Sequence, residues 1–180
     1  TIMADARKYF WLKPVSVAFR ALHYARMGED SETFYPIYIS QQGFVRGLDL
    51  FGSSNDAFNR YGLDINQLIG SKVLMANAEI RLPFTGPPQI AVIPSKLLFT
   101  ELAVFLDAGV AFDDYDQIEF VSKREDVLNL HPDKSVVLLT TGLSLRVNVF
   151  GAFILEPYYA IPIRENSKGE FGMNFLLPGW

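Results

Sequence analysis

Residues 97–112 read Leu97-Leu98-Phe99-Thr100-Glu101-Leu102-Ala103-Val104-Phe105-Leu106-Asp107-Ala108-Gly109-Val110-Ala111-Phe112. Neighbouring side chains on a strand point to opposite faces, so a strand here has two contrasting sides. Leu98, Leu102, Val104, Leu106, Val110 and Phe112 fall on one side. Phe99, Glu101, Ala103, Phe105, Asp107 and Gly109 fall on the other. The first side is apolar save for Thr100; the second mixes small, aromatic and acidic residues. Helical periodicity is weak here and throughout the chain.

The same alternation recurs on both sides of this segment. Lys72–Phe84 sets Leu74, Ala76, Ala78, Ile80, Leu82 and Phe84 against Asn77, Glu79 and Arg81. Ser135–Val149 sets Val137, Leu139, Leu143, Leu145, Val147 and Val149 against Thr140, Ser144, Arg146 and Asn148. Trp11–Arg26 sets Trp11, Val15, Val17, Phe19 and Ala21 against Ser16, Ala18, Arg20 and Tyr24. Beyond a Gly151 turn, Ala152–Ile163 sets Phe153, Leu155, Tyr159, Ile161 and Ile163 against Glu156 and Tyr158, and Glu170–Leu177 alternates Phe171, Met173, Phe175 and Leu177 with Gly172 and Asn174. These segments predict six strands in a single all-β, antiparallel domain. Two long connections, Gly28–Ser71 and Asp113–Lys134, alternate with shorter turns near Thr85–Lys96 and Phe150–Gly151.

Composition narrows the function. The chain has 180 residues, 49% apolar and 14% aromatic, with no cysteine. Disulfides, thiol nucleophiles and thiolate metal sites are thereby excluded. A net charge of −4 and the lack of a Lys/Arg stripe argue against nucleic acid as a partner. No apolar run approaches the roughly 18 residues of a spanning helix. The opening Thr1-Ile2-Met3-Ala4 follows no signal-peptide plan, so the chain is expected to be a fragment or the product of a cleavage.

Which side of the sheet is the core decides the class. In a soluble sheet the apolar side packs inward. In an outer-membrane barrel it faces lipid, and the mixed side lines the interior. Apart from Lys13 and Lys72 near segment ends, the apolar sides here lack the Lys and Glu of a solvated sheet. The mixed sides carry isolated charges of both signs: Arg20, Glu79, Arg81, Glu101, Asp107, Arg146 and Glu156. Aromatics crowd the strand ends, as in Tyr9-Phe10-Trp11, Phe112, Tyr115 and Tyr158-Tyr159, where interfacial girdles lie. These features favour a transmembrane β-barrel. A spanning sheet must close on itself, and bacterial barrels need at least about eight strands. Six strands therefore require completion by further strands, from the same polypeptide or another.

Four short motifs then fall in order: Gln42-Gly43-Phe44-Val45-Arg46-Gly47-Leu48 in the first long connection, Asn77-Ala78-Glu79-Ile80-Arg81-Leu82, Val104-Phe105-Leu106-Asp107-Ala108-Gly109-Val110, and Thr141-Gly142-Leu143-Ser144-Leu145-Arg146. Together they resemble the C-terminal part of the bacterial surface antigen family barrel, of the outer-membrane assembly-factor and two-partner secretion transporter superfamily. The likeness runs from about Asp5 to Trp180 and corresponds to the last six of that family's sixteen strands. It implies that residues 28–71 form an extracellular loop folding back into the lumen and that residues 113–134 form a second. Val45, Arg46, Gly47 and Leu48 resemble the loop tip, with Leu48 replacing the usual aromatic. Glu79 and Asp107 match the two acidic residues that receive the loop arginine in that family. Both also share the mixed parity on adjacent strands, where one guanidinium can bond two carboxylates bidentately. Phe171, Met173, Phe175, Leu177 and the aromatic Trp180 resemble the closing strand and terminal signal of outer-membrane proteins, shifted in phase by Pro178-Gly179.

The resemblance implies a bacterial outer-membrane protein that inserts or translocates polypeptides. Its expected partners are outer-membrane lipid, the remaining barrel strands, client outer-membrane polypeptides and periplasmic assembly factors. The alternative is a non-catalytic anchor or pore for a soluble domain upstream. No enzyme signature is present: there is no nucleophile elbow, phosphate loop, zincin helix or dinucleotide fingerprint. Glu101 and Asp107 lie about 20 Å apart by strand rise, too far to cooperate. His23 reads as interfacial and His131 as a loop residue. Asp113–Asp116 lacks the spaced ligands of a calcium loop. Neither a catalytic residue, a metal nor a cofactor is expected.

Overall fold

A computed structural model describes residues 1–28, 31, 35–39, 43–47, 63–165 and 167–176. In chain order the strands are β1 (Ile2–Leu12), β2 (Val15–Ala25), β3 (Ile37–Tyr38), β4 (Ile69–Gly70), β5 (Lys72–Gly86) and β6 (Ile93–Pro94). They continue as β7 (Phe99–Phe112), β8 (Ile118–Glu119), β9 (Ser135–Val136), β10 (Leu138–Val149), β11 (Phe153–Pro162) and β12 (Glu170–Leu176). The fold is all-β, with one five-residue α-helix at Arg124–Leu128 among the described residues.

The long strands form one antiparallel sheet in the order β1-β2-β5-β7-β10-β11-β12, with β6 pairing beside β5. Each long strand pairs with its neighbours in sequence, an up-and-down meander. β1 and β12 lie at the two ends of this order and do not pair with each other among the described residues. Residues from both ends, Arg7 and Tyr9 of β1 and Asn174 and Leu176 of β12, nonetheless line one cavity of about 60 Å³. The sheet therefore curls until its two ends face the same space.

Seven long strands replace the six expected. The correction lies at Trp11–Arg26, where a turn at Lys13-Pro14 splits one expected strand and places Trp11 and Leu12 in β1. Trp11 pairs with Ser16 and Tyr9 with Ala18. Trp11 thus shares a face with Ser16 and Ala18 rather than with Val15 and Val17. A two-residue turn reverses parity between its flanking strands, which is why a single alternation read straight through it misplaces Trp11. It also brings Asp5 and Arg7 onto the mixed face. At Ser135–Val149 the expected single strand breaks after Val136, and β9 pairs in parallel with β8.

The two faces of the sheet differ in kind. The inner face buries Ala18, Glu79, Ala103, Phe105, Asp107, Ser144 and Glu156. The outer face leaves aliphatic and aromatic side chains exposed: Val104 at 51%, Leu143 at 61% and Phe171 at 88%. Toward the end of the sheet where the long connections emerge, the pattern becomes that of an ordinary core. Ile39 and Val45 from the first connection, Leu63 and Leu68 near its end, and Val127 of the helix pack with Val73, Met75, Ala111, Val136 and Leu138. Val110 and Phe112, expected on the lipid-facing side, are buried at this end of β7.

Local signals shape these connections. The 3₁₀ turn at Ile65–Leu68 is capped by Asp64, whose side chain accepts from Asn66 N–H at 2.8 Å, while Gln67 Oε1 accepts from Asp64 N–H at 3.0 Å. Asp114 and Gln117 cap the turn at Tyr115–Gln117 in the same way. Such reciprocal caps satisfy the amides that a turn otherwise leaves open.

Candidate functional site

The inner face is organised around one loop residue. Gly43 and Gly47 bracket the tip of the first long connection with φ of +84° and +92°, values in the left-handed region that glycine adopts without steric cost. Gly47 also sits so close to β11 that a Cβ there would lie 2.5 Å from that of Ala160. The tip is thus held against the sheet, with Val45 in the loop-end core and Arg46 over the centre of the inner face.

Arg46 reaches three carboxylates on three strands. Its Nε donates to Asp107 Oδ2 at 2.7 Å and its Nη2 to Asp107 Oδ1 at 2.8 Å, a bidentate fork. The same Nη2 donates to Glu79 Oε1 at 2.7 Å, and Nη1 donates to Glu156 Oε1 at 3.0 Å. Its backbone N–H adds a bond to Asp107 Oδ2 at 3.2 Å. The guanidinium carbon stands 3.6 Å from the centroid of the Phe105 ring, so the cation is covered by a π face as well.

Two further arginines complete the cluster. Arg146 Nη2 donates to Glu79 Oε1 at 2.9 Å and its Nε to Glu156 Oε1 at 3.0 Å; Arg81 Nε donates to Glu79 Oε2 at 2.7 Å. Three guanidinium groups thus face three carboxylates, and the cluster is formally neutral. Neutral donors fill the remaining lone pairs. Asn77 bonds Asp107 Oδ1 at 2.8 Å, Ser144 bonds Glu156 Oε1 at 3.0 Å, and Asn174 bonds Glu156 Oε2 at 3.0 Å. One donor, Arg146 Nη1, is buried without a hydrogen-bond partner among the described residues.

Burial on this scale would ordinarily drive an ion toward its neutral form. For Arg46, burial by itself lowers the pKa. The hydrogen bond with Asp107, followed by the charges of Asp107, Glu156 and Glu79, outweighs it and holds the guanidinium above its ordinary value. Arg46 is permanently charged.

A second tether holds the loop from the opposite side. Arg20 Nη1 on β2 donates to the Gly43 carbonyl at 3.0 Å, while its Nη2 pairs with Asp5 Oδ2 at 3.0 Å. The tip is therefore fixed both to the β1–β2 hairpin and to β5, β7 and β11.

No protein-family model, curated protein or solved structure matches this chain. The site is therefore described on its own geometry.

The structure brings together Arg46, Glu79 and Asp107, the three residues singled out from the sequence as one cluster. Val45 is buried beside them, and Gly47 makes the close approach to Ala160. Leu48 lies outside the described residues. Phe171, Met173 and Phe175 all stand on the exposed face of β12; Leu177 and Trp180 lie outside the described residues.

Sequence reasoning left out Glu156, Arg146, Arg81, Phe105 and Asn174 as members of the site. Alternation had already placed all five on the mixed face, but period two gives no height along a strand. Only the register shows which positions share a level: Arg81 pairs with Ala103, and Ala103 with Ser144. No group of three or more His, Cys, Asp or Glu able to hold a metal occurs among the described residues. Every carboxylate of the cluster is already engaged by arginine. The ion pairs tie the loop tip to β5, β7 and β11.

Proposed function

We propose that this chain is the C-terminal part of an outer-membrane β-barrel of the bacterial surface antigen kind, acting in the insertion or translocation of polypeptides at the outer membrane. The observation that carries the reading is the inversion of the sheet. Charged side chains are enclosed on the inner face, while Leu102, Val104, Leu106, Leu143 and Ile161 stand exposed on the outer face. Water would penalise that outer face over its whole extent at about 25 cal/mol per Å² of apolar surface, whereas hydrocarbon does not. A soluble sheet of this sequence would be built the other way round.

In this reading the space that receives Arg46 is the lumen, and the loop tip is a stopper clamped across it. The barrel is completed by further strands beyond β1, of the same polypeptide or another. β12 pairs with no second strand among the described residues, and an edge of this kind can receive a client strand by β-augmentation, in which main-chain bonds supply affinity without sequence specificity. Lipid, client polypeptides and periplasmic factors are the corresponding partners. The saturated, neutral cluster favours a second reading as well: a closed barrel that anchors an upstream soluble domain and conducts nothing.

Replacing the wild-type protein by an Arg46→Ala variant in its own host separates the two. The assembly reading predicts that the variant reaches the outer membrane while other barrel proteins there fall in abundance. Unchanged levels of those proteins with the variant correctly localised would support the anchor.

A further inference from the structure

Between β5 and β7 the chain takes no tight turn. Residues 87–98 fold back alongside β5, so that β6 runs parallel to Thr85–Gly86. Val92 N–H donates to the Pro83 carbonyl at 3.1 Å and Ser95 N–H to the Gly86 carbonyl at 2.7 Å. Ser95 Oγ accepts from Leu98 N–H at 3.0 Å, and Thr85 Oγ1 donates to the Leu98 carbonyl at 2.8 Å. The backbone is therefore well satisfied, and the turn is a frame. Its aliphatic side chains nevertheless stand outside that frame: Val92, Ile93, Leu97 and Leu98 are all exposed, Leu97 at 78%. A framed, outward-facing aliphatic patch calls for a partner surface.

The charge pattern selects that partner. The three connections at this end of the sheet, residues 13–14, 87–98 and 150–152, contain Lys13 and Lys96 and no acidic residue. The two long connections at the opposite end are acidic. Residues 28–71 hold six Asp/Glu against two Lys/Arg, and residues 113–134 hold seven against three. Lys13 and Lys96 are both exposed. Aliphatic side chains interleaved with lysine and free of acids suit a lipid–water interface with negative headgroups, where the chains enter the acyl boundary and the ammonium groups meet phosphate.

We propose that the turn between β5 and β7 is a lipid-docking collar, seating Val92, Ile93, Leu97 and Leu98 in the leaflet at the turn end of the barrel with Lys13 and Lys96 on anionic phospholipid headgroups. This rests on the membrane reading above and assigns the turn a partner of its own. The collar would fix how deep the sheet sits, because the turn cannot sink past its lysines or rise without exposing its leucines.

The absence of cysteine makes a direct test available. The intact protein carrying Leu97→Cys or Leu143→Cys is labelled with an environment-sensitive thiol dye and reconstituted into vesicles of phosphatidylcholine with phosphatidylglycerol, with or without brominated acyl chains. Both labels are expected to lose most of their fluorescence to the brominated lipid. In a Lys13→Gln, Lys96→Gln background the Leu97 label should recover fluorescence while the Leu143 label stays quenched. A quenched Leu143 label beside an unquenched Leu97 label overturns the collar and leaves the membrane reading standing. Quenching at Leu97 that is indifferent to the lysine substitutions overturns the headgroup contact. An unquenched Leu143 label overturns the membrane reading and the collar with it.

Discussion

Arg46 concentrates more of the molecule's electrostatics than any other side chain in the cluster. Within hydrogen-bond reach it meets Asp107, Glu79 and Glu156, and none of the three is accessible enough to be rescued by water. Removing the guanidinium changes the cluster from three cations and three anions to two and three. Truncating one member of such a buried set costs roughly 3–5 kcal/mol, most of it from stranded charge. An Arg46→Ala variant is therefore expected to lose about that much stability in detergent, read as a lower urea midpoint. Arg46→Lys should recover only a minor part, because an ammonium cannot bond Asp107 through two parallel N–H groups, nor spread over Phe105 as a planar cation. Full recovery by lysine would mean that charge alone matters and that the fork is incidental.

At the scale of elements, β12 is the weak member of the sheet. It pairs with β11 over seven residues, whereas β1 and β2 pair over eleven. Its outer side chains Phe171, Met173 and Phe175 are exposed, though Phe175 stacks on Phe153 at 4.8 Å between ring centroids. On the inner face Asn174 supplies a contact to Glu156 Oε2, the oxygen of that carboxylate that Arg46 and Arg146 do not bond. An Asn174→Leu substitution leaves Oε2 buried and unpaired at a cost of roughly 1–3 kcal/mol. That cost should appear locally. Hydrogen exchange is expected to quicken along β11–β12 while β5 and β7 keep their protection. Uniform acceleration over all strands would show that the final strand is not an independent unit.

The elements also mark where sequence reading stops. Period two was enough to find β5, β7, β10, β11 and β12, since each carries an unbroken aliphatic face. It missed β1 because Ile2, Ala4, Ala6 and Lys8 make a weak face and because the Lys13-Pro14 turn reverses parity at a point where apolar residues continue. Glu79 and Asp107 were legible through the family resemblance, which their shared parity on adjacent strands supports. Glu156 and Arg146 were not, since they lie two or more strands away from Glu79 and period two gives no height along a strand. Asp5 and Arg7 were missed together with β1.

Across the whole molecule two kinds of packing coexist. At the loop end, Ile39, Val45, Leu68, Val73 and Leu138 form an ordinary aliphatic core under the long connections. In the middle of the sheet the order inverts, with six formal charges enclosed and leucines outside. In the proposed membrane reading the two regions meet different surroundings, water over the loops and hydrocarbon around the strands. The neutrality of the cluster suits that reading, because an unbalanced charge enclosed by hydrocarbon would have no counterion to draw on.

A nitroxide scan of β7 in lipid bilayers tests this inversion most directly. Spin labels at Leu102, Val104 and Leu106 are predicted to collide readily with oxygen dissolved in the acyl chains and hardly at all with a water-soluble nickel chelate, while a label at Glu101 shows low oxygen access. The reverse phase, or a monomer that stays dissolved in buffer without detergent with those three positions open to the chelate, would contradict the account.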